Sequence, residues 1–334
     1  MCMKTRVLGK NGPLVSALGL GCMRMSSFAG SQPSRHSTEF KESVATIEAA
    51  LDHGINFINT GDFYGQGHNE SVVARAIEHR RDQTFLSVKF GVLRGPSGSF
   101  LGLDVRPNSV KNFAAYSLQR LDVEVIDLYQ PGRIDPAVPI EDTVGAIADL
   151  IQEGKVRYLG LSEVNAQQLR RAHSVYPVTA LEIEYSLATR MIEPEILPAA
   201  RELGISIVAY NVLGQGLLTG AVDADLPECD ARANLPRFQK ENLARNLKTV
   251  SVLDSIAATK GCTPAQLAIA WTLSRGEDIV ALLGMSRRSR LPENLAALDI
   301  VVSSDEANEL DRAFAPGAIV GDRGPSHVKH LSPQ

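Results

Sequence analysis

The sequence predicts an α/β fold of the (β/α)8, or TIM, barrel type, on three observations. Eight short runs are almost continuously apolar, as parallel strands covered on both faces read. Between them lie segments whose apolar residues recur at the helical spacing of i, i+3, i+4 and i+7. The turn after the first run lacks the glycine fingerprint of a doubly wound dinucleotide-binding sheet, since "LGLGCMRM" has a GLG without the third glycine. Eight strand–helix units in one chain fit the barrel. The 334 residues read as a single domain, 1–334, with extra C-terminal helices and an irregular tail from about residue 316.

The first strand is expected at 14–21, "LVSALGLG". The helix "KESVATIEAALDHG" follows, with Val44, Ile47, Ala50 and Leu51 on one face and Gly54 capping its C-terminus. The next four strands are "INFIN" (55–59), "TFLSVKF" (84–90), "VIDLY" (125–129) and "VRYLGLS" (156–162). The helices after them are "ESVVARAIEHR", "SVKNFAAYSLQRL", "EDTVGAIADLIQEG" and "NAQQLRRAHSV". The sixth strand is "TALEIEY" (179–185), followed by the helix "PEILPAARELG"; the seventh is "ISIVAYN" (205–211). A long connection from 212 to about 245, rich in Gly, Pro, Asn and Asp, leads to the helices "NLKTVSVLDSIAATKG" and "TPAQLAIAWTLSRG". "DIVALLG" (278–284) closes the set.

Composition narrows the function class. Hydrophobic residues make up 44% and charged residues 22%, the profile of a soluble globular chain with a full core. A formal net charge of -4 offers no basic field, so nucleic acid is not an expected partner. No apolar run approaches a membrane span, and "MCMKTRVLGKNG" holds no signal-peptide core, so no membrane is expected either. Cys2, Cys22, Cys229 and Cys262 lie far apart with no CxxC pair, which fits reduced thiols in a cytoplasmic protein and no metal site. The sequence assigns no oligomeric state.

In such barrels the chemistry sits at the C-terminal ends of the strands and on the loops after them. Those positions carry Asn59, Asp62 and Tyr64; Lys89; "QPGRID"; Ser162 and Glu163; Glu182 and Glu184; Tyr210; and "GMSRRSRLPEN". A Tyr and a Lys in one mouth form a meaningful pair. A phenol has a reference pKa of about 10, and a nearby ammonium lowers it, giving an acid able to protonate a developing alkoxide. Taken singly, a Tyr or Lys at a strand end is more often packing, Asp62 a turn cap, and the arginines a solvated loop. The set as a whole favours a site.

These residues resemble the aldo-keto reductase superfamily, from the N-terminal region to about residue 315. The motifs that carry the resemblance are "GLGCM" (19–23), "GDFYGQGHNE" (61–70), "SVKFG" (87–91), "IDLYQ" (126–130), "GKVRYLGLSE" (154–163), "EYSL" (184–187), "VAYNVLGQGLLTG" (208–220) and "LLGMSRRSRLPENLAAL" (282–298). The resemblance implies a (β/α)8 barrel, NADPH held without a Rossmann fold, and hydride transfer to a small-molecule aldehyde or ketone. It implies Tyr64 as proton donor and Lys89 as the residue that tunes it. For the cofactor it implies Gly21 and Met23, Ser162 at the nicotinamide carboxamide with Glu182 as companion, and Tyr210 stacked on the nicotinamide. Leu213, Gly214, Gln215 and Leu217 would run along the pyrophosphate. Ser286, Arg287 and Arg290 would take the 2′-phosphate, with Glu293 and Asn294 at the adenine.

Three positions depart from that pattern. Asn59 stands where the family has an Asp, Gly132 where it has a His, and Glu182 where it usually has a Gln. Without the Asp anion, the Lys89 pKa is expected to fall, with Asn59 accepting a hydrogen bond from the ammonium. Gly132 is expected to leave a gap for a water or a larger substrate. Three functions follow: an NADPH-binding sensor or structural subunit, a broad reductase with weakened chemistry, or a branch whose substrate suits the altered site. The pyridoxal reductases are the most similar branch, which makes pyridoxal-like aromatic aldehydes the expected substrates.

Overall fold

The computed structural model describes residues 3–27, 37–227 and 230–324. Eight parallel strands close into a barrel: β3 (Leu18–Gly21), β4 (Phe57–Gly61), β5 (Phe85–Phe90), β8 (Ile126–Pro131), β9 (Val156–Ser162), β10 (Val178–Glu184), β11 (Ser206–Tyr210) and β12 (Ile279–Gly284), which pairs back onto β3. Almost every residue of these strands is buried, because helices cover the outer face and side chains fill the inner one.

The helices follow the same order. α1 (Thr38–Asp52) comes after β3, α2 (His68–Ile77) after β4 and α3 (Pro107–Leu121) after β5. α4 (Ile140–Gln152), α5 (Ala166–Val175) and α6 (Ile196–Leu203) follow the next three strands. α7 (Lys240–Lys260) and α8 (Pro264–Ser274) precede β12; α9 (Leu291–Ala296) and α10 (Ser304–Ala313) follow it. Their starts are written locally. Asn165 with Gln168, Thr263 with Gln266 and Ser303 with Glu306 form reciprocal capping boxes at α5, α8 and α10. Among the described residues no helix is long and apolar enough to cross a membrane.

One expectation needs correction, and two further features add to the fold. The run 14–21 is two strands: β2 (Leu14–Ser16) pairs antiparallel with β1 (Thr5–Val7), and only β3 enters the barrel. Leu8 and Val15 of that hairpin pack on Phe57, Phe85, Leu128, Ala180, Val208 and Val280, closing the N-terminal end of the barrel with apolar side chains. A second hairpin, β6 (Val92–Arg94) with β7 (Phe100–Leu103), leaves the end of β5 and was not expected. The long connection after β11 carries short 3-10 turns at Gly214–Thr219, Ala231–Asn234 and Pro236–Phe238. Cys22 is buried and Cys262 half-buried, both free thiols; Cys2 and Cys229 lie outside the described residues.

Candidate active site

The parallel strands aim their last residues into one mouth. The Lys89 ammonium, at the end of β5, donates to Asn59 Oδ1 at 2.5 Å and pairs with Glu182 Oε1 at 2.9 Å. It also lies 5.2 Å from the centre of the Tyr64 ring and shares a hydrogen bond with that side chain. An ammonium has three donors and no acceptor, so the phenol oxygen accepts and its own proton stays free to be given away. The other oxygen of Glu182 accepts from Asn59 Nδ2 at 2.7 Å and from Gln130 Nε2 at 2.5 Å. Asn59 Nδ2 reaches Ser87 Oγ as well, at 3.1 Å. Asn59, Lys89 and Glu182 are 2%, 4% and 4% exposed, so the pair is dry as well as bonded.

This overturns the expected fall in the Lys89 pKa. Burial does work against the ammonium, but the Glu182 carboxylate and Tyr64 outweigh it, and Lys89 is held above its ordinary range. The anion absent at 59 is present on β10. Tyr64 departs from expectation in the same direction. Its burial outweighs the Lys89 ammonium, so the phenol sits above its ordinary range and stays protonated.

The stretch that carries Tyr64 is both turn and lip. Gly65, Gln66 and Gly67 take positive φ of 57°, 49° and 92°, which swings the chain from β4 into α2. At Gly67 a Cβ would also strike the Arg120 side chain at 2.8 Å. Arg120 cannot move aside, because its Nε donates to the fully buried Glu70 at 2.5 Å. Asn69 fastens the start of α2, accepting from Thr60 Oγ1 at 2.7 Å and donating to the Cys22 carbonyl at 2.8 Å. Asp62 faces Glu70 and Arg120, and burial followed by Glu70 lifts its carboxyl well above the usual range. Asp62 therefore stands apart from the Lys89 cluster.

The expected gap at Gly132 is not there. A Cβ on Gly132 would meet the Phe63 ring at 3.0 and 3.1 Å and Val92 of the β6 hairpin at 3.3 Å. Phe63 packs edge-on against Tyr64, ring centres 4.8 Å apart. Its ring lies where the Gly132 side chain would begin.

A second charged layer surrounds the first, joining Tyr210 to Glu163, Glu184, Arg133, Arg237 and Arg323. The Tyr210 hydroxyl donates to Glu163 Oε1 at 2.9 Å. Glu163 also takes Arg323 through both nitrogens of the guanidinium tip. Burial raises the Glu163 carboxyl, but Arg323 and then Arg133 outweigh it and hold the group below the usual carboxylate range. Glu184 accepts from Thr189 Oγ1 at 2.7 Å and Asn211 Nδ2 at 3.0 Å, and pairs with Arg237 at 3.4 Å. Burial works against the Arg133 charge, and Tyr210 and Glu163 outweigh it. "EIEYSL" held a signal for this layer: Glu182 and Glu184, two apart on a strand, must share a face. Arg323 sits in a stretch with no periodicity and left no signal.

The positions expected to hold the cofactor lie on or just after neighbouring strands of the same mouth, from β9 round to β3. Gly21 ends β3 beside Gly284 of β12, with Met23 just beyond it. Ser162 is buried at the end of β9, and Tyr210 is half-buried at the end of β11. Leu213, Gly214, Gln215 and Leu217 form the turn that follows, with Gly214 and Gln215 at positive φ of 56° and 59°. Ser286 is half-buried after β12, while Arg287 and Arg290 are exposed. Arg288, between them, is turned away onto Glu42 of α1 at 2.8 Å. Glu293 accepts from Thr263 Oγ1 at 3.1 Å, and the buried Asn294 donates to Met285 Sδ at 3.0 Å. Glu182 lies within this arc as the register partner of Ser162, with both of its oxygens engaged by the Lys89 cluster.

A parallel eight-stranded barrel with a buried Tyr–Lys pair at its C-terminal mouth defines a class of acid-assisting enzyme. The comparison with known proteins gives the family: residues 17–315 match the aldo/keto reductase family, and the chain belongs to it. It is similar to a probable aldo-keto reductase 1 of Glycine max, 39% identical over 329 residues, spanning 97% of this chain and 93% of that one. Among solved structures it is similar to a glycerol dehydrogenase from Gluconobacter oxydans, with 29% identity, a TM-score of 0.85 and coverage of 96% and 98% of the two chains. It is also similar to an aldo/keto reductase from Klebsiella pneumoniae in complex with NADP and acetate, with 26% identity, a TM-score of 0.74 and coverage of 96% and 99%.

Proposed function

We propose that this protein is an NADPH-dependent reductase of aldehydes or ketones. The observation that carries it is the buried Tyr64 at the barrel mouth, its ring 5.2 Å from the Lys89 ammonium, which is itself paired with Glu182. NADPH supplies the hydride for the carbonyl carbon when it is bound. Tyr64 gives its proton to the carbonyl oxygen as charge develops there, and Lys89 steadies the phenolate left behind.

The residues present fit that cofactor. Tyr210 is tethered through its hydroxyl to Glu163, which fixes the ring face that a nicotinamide would stack on. Among the described residues no carboxylate lies in ion-pair range of Arg287, and the Arg290 pair with Glu293 is loose, at 3.6 Å. Both guanidiniums are therefore available to a 2′-phosphate, and Ser286 lies beside them. Ser162 would hold the carboxamide, and Leu213 to Leu217 the pyrophosphate. Gly21 and Met23 border the nicotinamide end.

For substrate, aromatic aldehydes such as pyridoxal fit a mouth edged by Phe63 and Tyr64. The test is NADPH oxidation over a panel of aliphatic and aromatic aldehydes that includes pyridoxal. Turnover with a preference for the aromatic members supports the full reading. Turnover favouring small aliphatic aldehydes leaves the reductase and removes the substrate class. Tight NADPH binding without turnover on any member would instead mark an NADPH-binding sensor.

A further inference from the structure

Among the described residues Glu182 is the one carboxylate within ion-pair range of Lys89, and it comes from β10, three strands round the barrel from β5. Asn59 bridges the two. Its oxygen accepts from Lys89 at 2.5 Å while its nitrogen donates to Glu182 at 2.7 Å. Gln130 donates to the same Glu182 oxygen at 2.5 Å, so amides on β4 and β8 both aim the carboxylate at the ammonium. We propose that Glu182 is the positioning residue that keeps Lys89 charged, and that Asn59 is the neutral hinge between them. The proposal rests on the reductase reading above and deepens it.

The physics runs in one direction. A buried ammonium without a counter-charge sheds its proton more readily than one that is paired. Without its charge, Lys89 no longer steadies the phenolate that Tyr64 becomes. The other groups that face this pair do not replace the carboxylate. Cys22, after β3, has its thiol pushed up to about 12 by burial, so it is neutral. Tyr64 is also neutral, and Arg133, after β8, bears on Tyr64 with a positive charge. The Asn59 and Glu182 side chains touch, so exchanging their chemistry, acid at 59 and amide at 182, should leave one carboxylate on Lys89, with the Gln130 amide turned over so that its unpartnered oxygen accepts from the new amide at 182.

The test compares wild type, Glu182→Gln and the exchange variant Asn59→Asp/Glu182→Gln, each with its melting temperature recorded. The first readout needs no catalysis: titration of the Lys89 ε-carbon by 13C NMR in cofactor-free protein, assigned with Lys89→Arg. The expected midpoint falls by about 1–3 pH units in Glu182→Gln and returns toward wild type in the exchange variant. The alkaline limb of kcat for aldehyde reduction should move down and back in step. An unmoved midpoint in folded Glu182→Gln overturns the proposal. If Glu182→Gln does not fold, the exchange variant decides. Folding with a high midpoint upholds the proposal; a low midpoint or failure to fold overturns it. Tyr64→Phe in the same assay separates the two readings. If wild type turns over no aldehyde the reductase reading fails, and if Tyr64→Phe keeps full activity Tyr64 is not the proton donor; in either case the Lys89 titration still judges Glu182.

Discussion

Two charged regions flank the barrel mouth, and they obey different rules. In the inner one, Lys89, Glu182, Asn59 and Gln130 are buried, and the contacts among these four are between 2.5 and 2.9 Å. In the outer one, Arg287, Arg288 and Arg290 stand in solvent, and only Arg288 has a close partner, Glu42. Charges in the dry interior act strongly on one another, while exposed ones are screened. The inner region can set protonation states. The outer region can do little until a ligand phosphate arrives to meet it. A sequence shows both as clusters of polar residues; only burial tells them apart.

The largest effect is expected inside. Tyr64→Phe keeps the ring and removes the proton, and reductase activity should fall by about 10²–10⁴-fold with NADPH affinity held, as read by kcat/KM beside a direct binding titration. The outer arginines come next. Arg287→Ala/Arg290→Ala should raise the NADPH KM by about tenfold or more and leave the NADH KM nearly unchanged. Unchanged NADPH affinity would remove those residues from the phosphate site.

Gly132→His should not restore a donor, because Phe63 and Val92 already fill the position. The expected result is overpacking that costs about 1–3 kcal/mol, read as a lower melting temperature with no gain on any aldehyde. A stable variant with improved turnover would mean that Phe63 swings away easily. The smallest effect is expected at Arg288 and Glu42. The Glu42 carboxyl is held below its ordinary range, first by its hydrogen bond from the Arg288 side chain. A depressed carboxyl contributes stability above its unfolded pKa and loses it as pH falls through the folded value. Glu42→Gln should therefore lower the melting temperature slightly at neutral pH and low salt. The difference should vanish in acid and at high salt.

Much of the fold was legible because buried parallel strands are apolar without interruption. "TFLSVKF" and "VRYLGLS" match β5 and β9 almost residue for residue. The run 14–21 misled because Ala17, between hairpin and barrel strand, is apolar and marks no break. The β6–β7 hairpin did carry a turn signal, the "GPSG" after Arg94. Tyr64 and Lys89 were legible through their motifs and strand ends. The pairing of Lys89 with Glu182 was not, since no local pattern ties β5 to β10 across a barrel. Gly132 was read as open space because the space beside a glycine is set by distant neighbours, here Phe63.

Tyr64 acts as a neutral acid beside a Lys89 that is charged through neutral pH. The most direct measurement is kcat against pH for aldehyde reduction at saturating NADPH, with the NADPH oxidation rate read at each pH. Burial and partners raise the pKa of both groups, so both protons are present below and through neutral pH and are lost only as pH rises past those raised values. The expected profile is flat across neutrality with a single decline on the alkaline side. A rate that titrates near neutral pH would contradict the claim, because neither group, placed as it is, changes charge there.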